Sequence, residues 1–327
     1  MHHNTYDRLS GSWWGSIIGQ TIVDQSVNSF NPFTQPWLLE RRKIAEMLLA
    51  QELNTTNSTD LFSASAFQSA ANMTEPIDQV DDLKYNGNLL SLLPVIIFQT
   101  DEQDLRRKLR EKHNLKSANS PSNISLSQDV LIWSCLLNIA LNNRSSGLAQ
   151  KTVSTVMEEI FNHHVVPKSP LTDQLRLVFS AIQRGSSLTQ VVEQLSSKDQ
   201  SSATAIALAW YCFATTPHDF KLSVTRAARI ESNQGWLITT LTATLSGAYN
   251  GMALISQSRR VNPEQDPEAQ SNWHLENQLL TKLFRSWLGI YSTEGDGESY
   301  NLKLDAIALP KVIQPRHKLK IISQSSF

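Results

Sequence analysis

The chain has 327 residues, of which 40% are hydrophobic and 18% charged, so it can bury a sizeable core and is not globally disordered. The 29 basic residues nearly balance the 30 acidic ones, which excludes a strong overall field for nucleic acid or an anionic membrane. The amino terminus carries charge before any apolar segment and does not resemble a secretory signal. A cytoplasmic location is therefore expected.

Apolar residues recur with helical spacing along most of the chain, and alternating strand patterns are scarce. The pattern predicts helices over residues 8–27 and 38–53, a long polar surface insertion at about 54–84, and an apolar run over 89–98. Further helices are expected over these ranges: 129–142, 148–163, 172–184, 187–194, 201–214, 219–230, 235–256 and 275–291. The expected fold class is all-α, with one domain over residues 1–300 and a tail over 301–327 that is either ordered or flexible.

Two segments near the carboxyl end need a structural interpretation. Residues 232–258 carry no charge and exceed the ~20 residues that a membrane span requires. Their many Thr, Ser and Asn side chains dilute the hydrophobicity, so we predict a central core helix and no membrane span. Residues 259–272 are charged and contain two prolines, which predicts an exposed connector.

Glycine recurs every fourth residue in two of the predicted helices. Gly11, Gly15 and Gly19 form one stripe, and Gly247 and Gly251 form another. A glycine inside a helix costs ~1 kcal/mol relative to alanine, so a regular stripe needs an offsetting gain. Residues four apart share a helix face, and we therefore predict that each stripe packs closely against another backbone. By contrast, Cys135 and Cys212 stand alone in apolar surroundings, which predicts buried thiols and no disulfide.

The second stripe belongs to a longer pattern. Residues 247–251 read Gly-Ala-Tyr-Asn-Gly, and residues 232–237 precede them as Ser-Asn-Gln-Gly-Trp-Leu. This frame resembles the ADP-ribosylglycohydrolase family, whose members carry a Gly-Gly-Asp-x-Asp-Thr loop and then a helix with Gly-Ala-Tyr-Tyr-Gly. The two aspartates of that loop fall on Gln234 and Trp236 here, and its threonine falls on Leu237.

Three more segments follow the same order and spacing. Residues 7–20 resemble the opening helix of the family, which usually ends Gly-Asp-Ala-Leu-Gly, with aspartate replaced by Gln20. Residues 86–94, which begin at Asn86 and Gly87, resemble Asn-Gly-Ala-Ala-Met-Arg-x-x-Pro, with arginine replaced by Ser91. Residues 44–49 resemble the helix after a Thr-Asp-Asp-Thr motif. That motif would fall on these residues: Gln35, Pro36, Trp37 and Leu38.

The resemblance implies a compact orthogonal multi-helix bundle and an activity that removes ADP-ribose from a modified side chain such as arginine. It also implies two divalent metals, held by the aspartates and threonines of the two acidic motifs. Such hard cations require oxygen ligands. Gln35 and Gln234 offer one neutral oxygen each, and the remaining motif positions offer none. We therefore expect no metal, no cofactor and no catalytic residue of the family type.

Two sets of residues near these positions have alternative interpretations. Four acidic residues are expected to be helix caps or solvated charges, although they are the candidates for a substitute metal site: Asp24, Glu40, Asp219 and Glu231. Four tryptophans either fill the vacated volume or form an aromatic surface for a partner protein or flat ligand: Trp13, Trp14, Trp37 and Trp236.

Three functions are compatible with these patterns. The first is a non-catalytic binding or regulatory protein with a protein partner or an ADP-ribose-like ligand. Its candidate binding residues are Trp13, Trp14, Gln20, Asn86, Gly87 and Ser91. The second is an active hydrolase with relocated ligands, which requires three or more carboxylates in one cleft. The third is a structural subunit, which requires a large exposed apolar patch.

Overall fold

The structure, a computed structural model, describes residues 2–23, 33, 35–54, 89–98, 121–142, 169–196, 201–255 and 267–287. All regular secondary structure in these ranges is helical, so the predicted all-α class is confirmed. The α-helices are α1 (His2–Val23), α2 (Pro36–Asn54), α3 (Leu93–Phe98), α4 (Pro121–Asn142), α5 (Pro170–Arg184), α6 (Leu188–Ser196), α7 (Ser202–Thr215), α8 (Phe220–Ala228), α9 (Gly235–Asn250) and α10 (Pro267–Trp287). The predicted helix at 148–163, the tail at 301–327 and almost all of the predicted insertion lie outside the described residues.

Prolines open several helices, because a proline in the first turn loses no helical hydrogen bond and already has the required φ. For example, α2, α5 and α10 all begin at a proline. Before α5, the Ser169 hydroxyl accepts a hydrogen bond from the Thr172 N–H at 3.2 Å, and the Thr172 hydroxyl accepts one from the Ser169 N–H at 2.8 Å. This reciprocal cap fixes the start of α5 two residues before the predicted one.

The two glycine stripes pack against each other, which confirms the predicted close contact. They bring α1 and α9 together in antiparallel orientation at the centre of the fold. A methyl group on Gly11 would overlap the backbone of Gly247, and a methyl group on Gly247 would overlap Gly11. Near the other end of the pair, a methyl group on Gly19 would lie 2.8 Å from Cα of Thr240. Since carbon atoms in contact are ~3.5–4.0 Å apart, only glycine permits this approach.

Helix α9 is buried along most of its length despite its many hydroxyl groups. Thr242 Oγ1 donates to the Ile238 carbonyl at 2.7 Å, and Thr244 Oγ1 donates to the Thr240 carbonyl at 2.8 Å. These bonds satisfy the hydroxyl groups within the helix itself. Among the helices that the structure describes, none is long and apolar enough to cross a membrane. Within the uncharged segment, residues 235–250 form a core helix, as the composition predicts.

Helix α9 ends at Asn250, earlier than the predicted residue 256. Gly251 leaves the helix with a φ of 79°, a conformation that favours glycine, and a short 3₁₀ helix, Met252–Leu254, follows. The Asp7 carboxylate on α1 accepts hydrogen bonds from the N–H groups of Met252 at 3.1 Å and Ala253 at 3.3 Å. Asp7 therefore caps this 3₁₀ helix and ties it to α1.

Helix α10 corrects the part of the predicted connector that the structure describes, residues 267–272, while residues 259–266 lie outside the described ranges. The charges and prolines there predict an exposed loop, but the helix begins at Pro267, which occupies the first helical position. It packs chiefly against α2, with smaller contacts to α1 and α3. The helix therefore covers the side of α1 that faces away from α9.

Candidate functional site

Three of the segments that resemble family motifs lie around one end of the α1–α9 pair. Trp37, at the start of α2, donates its indole N–H to the side-chain oxygen of Gln20 at 2.7 Å. Gly19, beside Gln20 on α1, packs against Thr240 near the start of α9. The carboxyl end of α1 and the amino ends of α2 and α9 are therefore neighbours.

The hydrogen bond between Trp37 and Gln20 joins two positions at which the resemblance implies aspartates. Both side chains are buried, and the Gln20 oxygen is an acceptor for the indole proton. Leu38 is also buried, whereas Pro36 is exposed and Gln35 is half-buried. The Gln35 carbonyl accepts hydrogen bonds from the next turn of backbone, so this segment forms an ordinary helix start.

The second motif segment leads into α9. Gln234 is buried and precedes the helix, Leu237 is fully buried, and Trp236 is half-buried against the core. The Trp236 carbonyl accepts a hydrogen bond from Thr240 Oγ1 at 2.7 Å. These positions supply amide and apolar side chains that pack into the core, and they do not fit a divalent cation, which needs several oxygen ligands.

The candidates for a substitute metal site do not form one group among the described residues. Asp219 caps α8 by accepting a hydrogen bond from the Leu222 N–H at 2.8 Å, which confirms its predicted role. Glu231 is exposed, and Glu40 is half-buried on α2. Asp24 lies outside the described residues. Within the described ranges, no three His, Cys, Asp or Glu residues are grouped so as to hold a metal ion.

The remaining candidate binding residues that the structure describes are buried. Ser91 is buried, while Asn86 and Gly87 lie outside the described residues. Trp13 and Trp14 are buried, as expected if their rings fill core volume. They are therefore covered in this conformation, and only Trp236 among the four tryptophans keeps a substantial accessible surface.

A buried ion cluster lies beside these tryptophans and consists of Arg41, Arg42 and Glu276. Arg41 Nη2 donates to Glu276 Oε2 at 2.7 Å, and both side chains are fully buried. Arg42 Nε approaches Glu276 Oε1 at 2.5 Å, and its side chain is 12% exposed. The cluster links α2 to α10, and one carboxylate serves two guanidinium groups.

Aromatic rings enclose the ion cluster. Trp13 donates its indole N–H to Glu276 Oε2 at 2.8 Å, so Glu276 accepts hydrogen bonds from residues of both α1 and α2. The Arg41 guanidinium lies 4.0 Å from the centre of the Trp13 ring and 5.4 Å from that of Trp37. Such cation–π contacts stabilise a desolvated cation. The aromatic residues near the former motif positions thus surround a charge that belongs to the chain itself.

Burial has a direct electrostatic consequence for Arg41. Desolvation lowers the pKa of Arg41 from 12.5 to about 10, because the loss of hydration exceeds the opposing attraction of Glu276. The guanidinium still carries its charge at pH 7. Its Nη1 atom donates to Ser16 Oγ at 2.7 Å and to the Trp13 carbonyl at 3.3 Å.

The ion cluster was not predicted from the sequence, although a spacing signal exists. Arg41 lies three, four and seven residues before the buried Ile44, Ala45 and Leu48. Glu276 has the same spacing to another buried set: Leu279, Leu280 and Leu283. A charged residue in register with the apolar stripe of its helix points into the core. Two such residues of opposite sign predict a buried pair.

The cysteines agree with the prediction of unpaired, buried thiols. Cys212 lies within α7, which is buried along its whole length. Burial raises the pKa of the Cys212 thiol from 9.0 to about 12, an effect that the nearby Arg226 charge only partly offsets. This thiol is therefore protonated and unreactive at neutral pH.

No known protein-family model matches the chain, and no curated protein is significantly similar to it. The resemblance to the ADP-ribosylglycohydrolase family therefore rests on the four motif segments and stays a prediction.

Proposed function

We propose that the chain is a non-catalytic protein of the ADP-ribosylglycohydrolase type with a binding or regulatory role. The observation that carries this proposal is the hydrogen bond between Trp37 and Gln20, at two positions where the family has aspartates. Both side chains are buried and directed at each other. The indole at this acidic-motif position offers no oxygen ligand to a divalent cation, and its N–H is bonded to the Gln20 oxygen.

The accessible part of the same region is the candidate binding surface. It consists of the turn before α9, in which Glu231 and Asn233 are exposed, and the first turn of α9, in which Trp236 is half-buried. A partly exposed tryptophan beside polar groups offers both apolar contact area and orientation, which suits a protein partner or a flat ADP-ribose-like ligand.

A hydrolysis assay tests the non-catalytic part of the proposal. The full chain is incubated with ADP-ribosyl-arginine and either magnesium or manganese, with and without a chelator. We expect no turnover above the protein-free rate, because no metal is held to activate water or polarise the ribose. Turnover that a chelator abolishes would establish the alternative, a metal-dependent hydrolase with relocated ligands.

Co-purification from the native cell tests the binding part. Trp236→Ala removes the indole from the candidate surface, and Leu222→Ala is the matched control, since Leu222 is 46% exposed on α8 and outside that surface. We expect a partner that is retained by the native chain and the control and lost with Trp236→Ala. Isothermal titration with ADP-ribose on the same three proteins separates a small-ligand function from a protein partner. Equal retention by all three proteins would place the interaction elsewhere.

The alternative of a structural subunit requires a large exposed apolar patch. Among the described residues, the exposed large hydrophobic side chains are Leu39, Leu222 and Leu275, which lie on α2, α8 and α10. A partner that requires Leu39 or Leu222 and ignores Trp236 would favour this alternative.

A further inference from the structure

The contacts that hold the first half of α10 against α1 and α2 are mostly polar. Besides the Glu276 contacts, Asn272 accepts a hydrogen bond from Arg42 at 3.1 Å and Asn277 accepts one from the Trp14 indole at 3.1 Å. The Trp273 ring stacks on Trp14 at a centroid distance of 3.4 Å. The second half of α10 instead buries an apolar stripe: Leu279, Leu280, Leu283 and Phe284.

Polar and apolar contacts respond differently when a helix separates from its neighbours. A buried ion pair adds little net stability, because the charges regain their hydration once they are exposed. The lowered pKa of Arg41 reflects the same hydration loss in the packed state. Opening the first half of α10 therefore costs less free energy than opening an apolar contact of similar area.

The position of α10 in the fold favours such a local opening. α10 packs chiefly against α2, whereas α1 and α9 form the most extensive helix pair and α9 also contacts α4, α7 and α8. Segments with fewer contacts open at lower free energy than the core elements.

We propose that the first half of α10, residues 267–278, opens as a separate unit while α1 and α9 remain paired. Opening breaks the ion cluster and uncovers Trp13, Trp14 and the Arg41 guanidinium. In this conformational device, the Glu276 carboxylate compensates the buried Arg41 charge in the closed state. The opening itself does not depend on the proposed function, and the two can fail independently.

Native-state hydrogen exchange, followed by mass spectrometry on the full chain, tests this opening. In the native chain, amides of residues 267–278 are expected to exchange through an opening of lower free energy and smaller denaturant dependence than amides of α9. Glu276→Gln should accelerate their exchange about 100-fold, the factor that corresponds to ~3 kcal/mol for breaking a buried pair. Exchange of residues 267–278 at the same free energy as α9 would overturn the proposal.

A remote variant separates local opening from global unfolding. Val224 is fully buried on α8, and Val224→Ala lowers the global stability of the core without touching the ion cluster. It should accelerate the exchange of α9 and leave residues 267–278 unchanged. Equal acceleration of both segments would mean that α10 unfolds only with the rest of the chain. This comparison decides the question even if Glu276→Gln does not fold.

Discussion

The ion cluster predicts an asymmetry between its two fully buried members. Arg41→Met leaves the Glu276 carboxylate with two donors, Arg42 Nε and the Trp13 indole N–H. Glu276→Gln leaves the Arg41 guanidinium fully buried with only neutral acceptors, namely the new amide oxygen and the oxygen atoms of Ser16 and Trp13. The second change is therefore the more damaging one, although both remove the same ion pair.

The magnitudes follow from what each variant leaves unpaired. Removing one partner of a buried pair costs ~3–5 kcal/mol when the remaining charge has no compensation, which is the case for Glu276→Gln. With Arg41→Met the carboxylate stays compensated, and the cost falls to ~1–3 kcal/mol, the range for a lost buried hydrogen bond to a charged group. Adding Arg41→Met to Glu276→Gln removes the uncompensated charge. We therefore expect the double variant to be more stable than Glu276→Gln alone.

Urea unfolding monitored by circular dichroism measures these differences, provided that the urea dependence is the same for all variants. Arg176→Met is the control, since Arg176 forms an exposed ion pair with Asp173 at 3.5 Å and should shift stability by less than ~0.5 kcal/mol. The reasoning would be refuted if the losses in the free energy of unfolding of the two single variants simply added in the double variant. It would also be refuted if Arg41→Met cost as much as Glu276→Gln.

Three further predictions concern the glycine contact, the cap of α8 and the buried Cys212 thiol. Gly15→Val should destabilise the chain by more than ~4 kcal/mol or prevent folding, because its side chain would overlap the Ala243 carbonyl; a loss below ~1 kcal/mol in urea unfolding would contradict the close contact. Asp219→Ala should cost ~1 kcal/mol through the lost cap of α8, and Asp219→Asn should recover most of it in the same assay. The third prediction concerns pH. Cys212 has a folded-state pKa of about 12 against 9.0 unfolded, so its protonation contributes stability that is complete below pH 9 and is lost as pH rises towards 12. Between pH 8 and 10 the native chain should therefore lose ~1.4 kcal/mol relative to Cys212→Ala. A pH-independent difference between the two proteins would show that the thiol is accessible in the folded state.

Local patterns were sufficient for the helices and for the central contact. The apolar spacing predicts most of the described helices, because each one buries a stripe against the core. The glycine stripes predict close backbone contact, but they do not name the partner. Only the structure shows that Gly11 packs on Gly247, since pairing depends on the relative rotation and direction of two distant helices.

Helix boundaries and the ion cluster needed more than local patterns. The charged stretch before Pro267 predicts a connector, whereas the structure shows that this proline opens α10. The pairing of Arg41 with Glu276 joins residues that are 235 positions apart in the chain. Spacing can place each residue in the core, but the match between them depends on the tertiary packing of α2 on α10.

The sequence shows which residue types occupy the motif positions, but it does not show how they pack. The absence of carboxylates can be read from the residue types at the positions that resemble the acidic motifs. The packing of these residues cannot be read from the sequence. In the structure Gln20 forms a hydrogen bond with Trp37, Pro36 is exposed, and the Trp236 side chain stays partly exposed. Each of these outcomes depends on how the ends of α1, α2 and α9 meet.

Calorimetric titration of the full chain with manganese tests the central claim most directly. The claim is that the positions of the two acidic motifs, represented by Trp37, Gln234 and Trp236, do not bind divalent cations. The account predicts no saturable binding at micromolar concentrations, and no change after Gln234→Ala. Saturable binding of two ions per chain that Gln234→Ala weakens would contradict it.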